Sequence, residues 1–504
     1  MMAAPYMAPG YPLQELLHGM ADGDVAASCR VTGVTLDSRK VQPGDLFIAL
    51  AGSRDHGAAH IAQAIERGAV AVLVDGPAPA AGSGGRQLPV LSLPGLRAKA
   101  GVIAARYYGD PSRAMSMYGI TGTNGKTSVS LFIAQALSVD APCGVNGTLG
   151  CGIYGALHGT GHTTPDAVTL QAELAAQQAA GAVAAVMEVS SHALDQQRVA
   201  GVAFDVAVFT NLSHEHLDYH GDMAAYALAK RRLFQRAELK AAVLNLDDAV
   251  GARWYDELHG QLACIGYGFG AAAQAAAGAV LCGSELQLCP VGLSFTVSSP
   301  WGEARIATPL LGQFNAANLL AALGALLAGG MSFPTAVQRL KQVQTVPGRM
   351  ERFGTAQQPT VVVDYAHTPD ALEQVLKALR GHCSGTLWCV FGCGGDRDRA
   401  KRPLMGQLAE ALADRVVLTD DNPRSENPWD IIEDIQRGMK ESDAAYVMRD
   451  RAAAIRHAIG MAAAGDIVLI AGKGHETEQI VAGQVLPFSD RTEVVHCLQE
   501  VTDA

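Results

Sequence analysis

The stretch "SMYGITGTNGKTSVSLFIAQAL", residues 116–137, runs from an apolar segment through a glycine-rich turn to Lys126, Thr127 and a helical pattern. A strand, a glycine turn and a helix in that order form a phosphate-binding layout, because the turn's N–H groups can face an anion at the positive end of the helix. The strict spacing of such loops asks for glycine at position 120, where this chain has Ile120. The succession of elements outweighs that departure. Gly122, Asn124 and Gly125 let the backbone wrap phosphates, Lys126 is placed to neutralise the β- and γ-phosphates, and Thr127 to offer a hydroxyl to magnesium.

Outward from the loop, "AAVMEVS", "VAVFTNL" and "AAVLNLD" are continuous apolar runs separated by helical segments. Continuous runs belong to parallel strands covered on both faces. Upstream, "VTGVTL", "DLFIAL" and "HIAQAIERGAVAVLVD" give short strands and a helix, and "YYGDPSRAM" breaks the pattern with Gly109 and Pro111. Downstream, "GFGAAAQAAAGAVLCG" reads as a loop excursion and "QVQTVPGRMERF" as a linker. Beyond it "PTVVVDYA", "TLWCVFG", "DRVVLTD" and "DIVLIAG" alternate with helices such as "PDALEQVLKALR". The expectation is an α/β protein of three domains: a smaller N-terminal α/β domain (1–113), a central phosphate-loop domain on a parallel sheet (114–346), and a C-terminal doubly wound, Rossmann-like domain (347–504).

The 504 residues are 49% hydrophobic and 17% charged, with a net charge of −11, a composition that builds large cores and disfavours a general nucleic-acid or membrane-surface binder. Ten cysteines without a C-x-x-C pair point to reduced thiols rather than zinc ribbons or disulfides. The N-terminus has no basic segment followed by an apolar core, and "LLAALGALLAGG" is too short to span a bilayer, so a cytoplasmic protein is expected.

Three further constellations carry possible chemistry. In "NLSHEHLDYHG", His214, His216, Asp218 and His220 would share one face of an extended backbone, close to a zinc-hydrolase signature but with Tyr219 intruding. Glu188 ends an expected parallel strand, where ligands collect. With a phosphate loop in the same domain, a magnesium and ATP site accounts for Glu188 and His216 more economically than zinc. In "TDDNPRSENP", Asp421 and Asn422 could offer acceptors to an amine while the Arg424 fork faces a carboxylate; the glycine cluster around Gly394 makes a turn beside Arg397, which could hold an anion.

These segments, together with "LGQFNAANLLAA", "PGRMERF", "VVVDYAHTPDAL" and "CGGDRD", stand in an order that resembles the Mur ligases, from "TLDSR" to "AGKGHE". The resemblance makes T-G-T-N-G-K-T that family's phosphate loop and implies amide-bond formation driven by ATP and Mg2+ in peptidoglycan synthesis. "DNPR" is similar to members that add meso-diaminopimelate to UDP-N-acetylmuramoyl-L-alanyl-D-glutamate; L-lysine is the alternative amino acid, and a metallo-hydrolase a more distant alternative. Carried over by motif, Thr121, Gly122, Thr123, Asn124, Gly125, Lys126 and Thr127 hold phosphates, and Asn318, Arg349, Asp364 and His367 lie near the nucleotide. Lys126, Glu188, His216 and a carbamylated Lys230 are catalytic, the last three joining Thr127 as metal ligands. Leu36, Ser38, Thr163, Thr164, Ser190, Gln196 and Arg198 correspond to the UDP-substrate site. Arg397, Asp421, Asn422, Pro423, Arg424, Gly474 and Glu478 correspond to the amino-acid site. "GSRDHG" and His162 depart from the family pattern near the substrate. A monomer whose only partners are its substrates is expected.

Overall fold

The computed structural model describes residues 10–20, 28–51, 57–76, 88–290, 292–355 and 357–503; most of "GSRDHG" lies outside them. The chain divides into two compact units. One holds the described residues up to Gly266, with Ala276–Ala279 and Ala321–Ser332; the other holds Tyr267–Ala275, Val280–Leu320 and the described residues from Phe333 onward.

In the first unit, Gly33–Thr35, Asp45–Ala49, Ala71–Val74 and Val90–Ser92 form a parallel sheet of their own. Alternation sends Leu46, Ile48 and Leu73 into one core and Phe47, Ala49, Val72 and Val74 into another, so both faces are covered. The helix Leu96–Tyr107 packs its Leu96, Ala100, Ile103 and Ala104 into the first of these cores. Gly101 lies against the Ala200–Gly201 backbone: a Cβ on Gly101 would stand 1.9 Å from the Ala200 carbonyl oxygen, and one on Gly201 2.5 Å from that of Gly101.

The same unit contains the sheet that carries the phosphate loop, in the order Ala156–His158, Gly150–Ile153, Cys143–Gly147, Ala184–Glu188, Ser116–Thr121, Val206–Phe209, Ala241–Asn245. From Cys143–Gly147 to Ala241–Asn245 every pairing is parallel, with Glu188 opposite Ile120 and Phe209 opposite Thr121. Glu188, the loop and the segment after Phe209 therefore emerge at one edge.

In the second unit, the expected loop excursion at 268–283 is instead a short helix, Ala271–Ala275, and the start of a strand, Val280–Cys289. That strand pairs antiparallel with Gly292–Ser299, which pairs with Gly302–Thr308. The Ala/Gly run hid it, since only the next strand shows clean alternation, with Leu293, Phe295 and Val297 buried. Residues 280–320 fall in the second unit with the described residues from Phe333 onward. His382 is one physical reason, because its Nε2 accepts from the Gly312 amide at 2.9 Å while Nδ1 donates to the Cys289 carbonyl at 2.7 Å.

The C-terminal sheet runs Glu351–Phe353, Thr360–Asp364, Ile467–Ala471, Leu387–Phe391, Arg415–Leu418, Tyr446–Val447, parallel except for the first pair. Val362, Leu469, Cys389 and Leu418 enter one core, and Val363, Ile470, Val390 and Val417 the opposite one. Its helix Pro369–Arg380 follows the pattern legible in sequence: Thr368 caps the Ala371 amide, Pro369 opens the first turn, and Leu372, Val375, Leu376 and Leu379 form the buried stripe. Among the described residues no helix is long and apolar enough to cross a membrane.

Candidate functional site

The phosphate loop is built from backbone. Gly122 has φ +150° and packs so tightly that a Cβ there would sit 1.9 Å from Thr210 Oγ1; Gly125, at φ +85°, caps the helix Lys126–Leu137. Thr210 Oγ1 donates to the Asn124 carbonyl at 2.6 Å, the Asn124 amide donates to Asn211 Oδ1 at 2.9 Å, and the Thr123 amide to the Asn211 carbonyl at 2.8 Å. The neighbouring strand's end thus holds the loop in shape. Lys126 Nζ donates to the Gly122 and Thr123 carbonyls at 2.9 and 2.8 Å.

Beside the loop, Glu188 is 2% exposed, and its carboxylate accepts from Thr127 Oγ1 at 2.9 Å, the Thr148 amide at 2.7 Å and Thr148 Oγ1 at 3.2 Å. Thr148 was not singled out from sequence, although its place just after a parallel strand was the available signal. Lys230, in the helix Met223–Arg231, donates to the Gly122 carbonyl at 2.8 Å and lies over the Tyr226 ring. Burial, reinforced by nearby Lys126, pushes its ammonium well below the ordinary lysine range.

The histidine segment is not extended. His216 has φ +58° and caps the short helix Leu217–His220, so the alternation that would line up four ligands is lost. No group of three or more His, Cys, Asp or Glu suited to a metal occurs among the described residues, which corrects the zinc-hydrolase reading of His214, His216, Asp218 and His220. Tyr219, the intruder, donates to Asp195 Oδ2 at 2.8 Å and accepts from Gln196 Nε2 at 3.2 Å, and His220 Nε2 bonds Ser191 Oγ at 2.9 Å. His216 packs edge-on to His192.

These bonds connect the His216 segment to expected substrate residues. Arg198 holds Gln196 Oε1 at 2.9 Å through Nε and donates to the Thr164 carbonyl at 3.1 Å; Thr164 Oγ1 donates to the Glu188 carbonyl at 2.8 Å, and Ser190 caps the next helix. Thr163 Oγ1 lies 3.2 Å from Thr148 Oγ1. Leu36 packs on the core of the first sheet, where Ser38 donates to Gln63 Oε1 at 2.7 Å; the first sheet and the loop's sheet thus each carry part of this expected set.

In the second unit, Asn318 donates to Asn315 Oδ1 at 3.0 Å, Arg349 lies over the Tyr365 ring, Asp364 accepts from the Met350 and Ala366 amides at 2.7 and 2.8 Å, and His367 Nδ1 bonds the Tyr365 carbonyl at 2.8 Å. Burial raises the Asp364 carboxyl against the opposing pull of Arg349.

The Asp421–Arg424 turn is fixed by main-chain and side-chain groups of distant segments. Arg424 has φ +55° and donates through Nη1 to the Gly395 carbonyl at 2.7 Å, while its amide donates to the Ile480 carbonyl at 3.0 Å. Gly395 is required here, since a Cβ would meet the Pro423 carbonyl oxygen at 1.9 Å. Arg397 is exposed beside it. Asn422 does not present a free acceptor as the sequence suggested, while Asp421 Oδ1 is buried without a hydrogen-bond partner among the described residues. Asn422 Oδ1 accepts from Lys473 Nζ at 3.0 Å and the Ile480 amide at 2.9 Å, its Nδ2 donates to Glu476 Oε2 at 3.0 Å, and Asp421 is buried 3.6 Å from Lys473 Nζ. Gly474, at φ +54°, is a packing glycine against Gly348 and Tyr365, and Glu478 is exposed at the start of the strand Glu478–Val481. Glu476, half-buried and bonded into the turn, was missed because a lone acid in "GHETE" carries no spacing signal.

Family models for the Mur ligase family catalytic domain, the Mur ligase middle domain and the Mur ligase glutamate ligase domain match residues 30–100, 120–326 and 348–474. The chain is 50% identical over 94% of its length, and 97% of the relative's, to the UDP-N-acetylmuramoyl-L-alanyl-D-glutamate–2,6-diaminopimelate ligase of Coxiella burnetii. It is 50% identical over 91% of its length to the protein of the same name from Pseudomonas aeruginosa, 93% of which is covered. A solved structure of a ligase of that name superposes with a TM-score of 0.75 at 39% identity, covering 98% of this chain and 99% of the other.

Proposed function

Since the chain belongs to the Mur ligase family, we propose that it is the ATP-dependent ligase that joins meso-diaminopimelate to UDP-N-acetylmuramoyl-L-alanyl-D-glutamate, releasing ADP and phosphate. The observation that carries this reading is the 50% identity over 94% of the chain to a ligase of that name. The enzyme acts in the cytoplasm, where ATP and the nucleotide-linked substrate are found together. We divide it into the N-terminal, central and C-terminal domains expected from sequence (1–113, 114–346, 347–504).

A carboxylate is a poor acyl donor because its oxygen leaves badly; phosphorylation of the D-glutamyl γ-carboxylate by ATP makes that oxygen a good leaving group. The amine then attacks the acyl phosphate, the C–N bond forms as the C–O bond to phosphate breaks, and the amine loses a proton. The loop from Thr121 to Thr127 cradles the phosphates through its N–H groups, with Lys126 turning from the loop's own carbonyls to the phosphate oxygens. Thr127 and Glu188 are a hydroxyl and a carboxylate bonded together beside the loop, the hard oxygen donors that Mg2+ takes, with His216 and a modified Lys230 as further ligands. The ion supplies charge neutralisation for phosphoryl transfer.

Lys230 fits carbamylation because burial favours its neutral amine, the form whose lone pair can attack carbon dioxide. Gln196, Arg198, Thr163, Thr164 and Ser190 orient the peptide substrate, and Leu36 and Ser38 the uridine end. Asn318, Arg349, Asp364 and His367 serve the nucleotide. For the amino acid, Arg424 and Arg397 pair with carboxylates and Glu476 receives an amine, while Asp421, Asn422 and Pro423 form the turn and Gly474 is a further contact. Glu478 is retained as a contact on family correspondence alone.

The test is phosphate release with Mg-ATP and the UDP-linked dipeptide, comparing meso-diaminopimelate with L-lysine. Release with diaminopimelate, together with a tripeptide product of the right mass, is expected. Release with lysine alone would overturn the amino-acid assignment, and release with neither would overturn the reaction.

A further inference from the structure

One charged group beside the proposed amino-acid site has no part in the reaction above. Lys473 is 0% exposed, and a buried ammonium is tolerated only where acceptors surround it. Its Nζ donates to Asn422 Oδ1 at 3.0 Å and Glu476 Oε2 at 3.1 Å, with Asp421 Oδ1 at 3.6 Å.

These bonds fix the sense of the Asn422 amide. Its oxygen faces two donors, Lys473 Nζ and the Ile480 amide, and its Nδ2 faces the Glu476 carboxylate. A flip would set NH2 against two donors and oxygen against a carboxylate, losing every bond at once. Lys473 acts with the Ile480 amide and the Glu476 carboxylate to hold one orientation, and through Ile480 that orientation reaches Arg424, whose amide donates to the Ile480 carbonyl at 3.0 Å. The same ammonium holds Glu476.

We propose that Lys473 is a positioning residue for the diamino acid: its buried ammonium locks Asn422 and Glu476 so that the Arg424 turn is preset to receive the second carboxylate. This rests on the amino-acid site proposed above. Supporting shells of this kind set affinity without touching the ligand.

The experiment is steady-state kinetics of the full-length Lys473→Met protein, each substrate varied in turn. KM for meso-diaminopimelate is expected to rise by about tenfold or more, the loss typical of a removed supporting contact, with KM for ATP and for the UDP-linked dipeptide within about twofold of wild type. An unchanged KM for diaminopimelate, or an equal rise for all three substrates, would overturn the proposal. If Lys473→Met does not fold, Lys473→Gln, neutral but still polar in the buried site, carries the same test; failure of both to fold makes Lys473 a folding requirement and also overturns it. The wild-type assay separates the two readings: no product from diaminopimelate sinks the site itself, whereas normal turnover with an indifferent variant sinks only the role of Lys473.

Discussion

The phosphate loop and the Asp421–Arg424 turn both bind charged groups in the proposed reaction, yet they are held by different means. The loop is one contiguous segment whose shape comes from glycine dihedrals and from bonds to Thr210 and Asn211 just after the next strand. The turn is set from two distant stretches of chain, the Gly395 carbonyl on one side and, on the other, the Lys473 and Glu476 side chains with the Ile480 backbone. A backbone device tolerates almost no change at its glycines but depends on few partners; a side-chain network spreads its dependence widely and can fail by degrees.

The largest expected effect tests the first half of that contrast. Gly122→Ala would force a Cβ into Thr210 Oγ1 at 1.9 Å at a φ of +150°, so ATP-dependent turnover should fall by about a thousandfold or more, as when phosphate positioning is lost. Direct calorimetric binding of meso-diaminopimelate should stay near wild type; a comparable loss there would show that the two regions are not separately built. Next comes Arg424→Ala, expected to cost ~2–4 kcal/mol in kcat/KM for diaminopimelate, with Arg424→Lys recovering only part because one ammonium cannot replace the planar fork. Equal activity of the alanine protein would remove Arg424 from the site.

Thr148→Val should be milder. It removes one of three donors to Glu188 and leaves the Thr148 amide bond, so a loss of about 1 kcal/mol in kcat/KM is expected, read most directly as a higher magnesium requirement. The smallest effect concerns pH and stability. Burial lowers the His382 pKa against the pull of its bond to the Cys289 carbonyl, so the folded protein prefers the neutral ring. The unfolded chain takes up the proton near ~6.5, so this contribution is intact above that pH and is lost as the pH falls below it. The melting temperature should drop on acidification, and less in His382→Gln. An identical drop in the variant would clear His382 of any part.

The same contrast explains what could be read in advance. The Ser116–Leu137 strand, turn and helix and the C-terminal strands were legible because their information is local: apolar runs, a glycine turn, a capped amphipathic helix. The strand beginning at Val280 was not, because its alternation is masked by a preceding run of alanine and glycine. His214, His216, Asp218 and His220 looked like ligands on an assumed extended backbone, and a single positive φ at His216 undid that geometry. Asp421 and Asn422 were recognised as important but read as facing a ligand. Whether a polar side chain points outward or into its own scaffold depends on Lys473 and Glu476, some fifty residues away in sequence, and no pattern near the turn records it.

The seam between Gly101 and Gly201 has a bearing on sequence variation. Gly101 leaves room for the Ala200 carbonyl and Gly201 for the Gly101 backbone, so neither position can acquire even a methyl group while the facing main chain stays in place. A second substitution elsewhere cannot repair the overlap by shrinking a neighbour, because the neighbour is main chain. The two glycines are therefore expected to be held together, a constraint set by the path of the main chain and independent of the chemistry of the site.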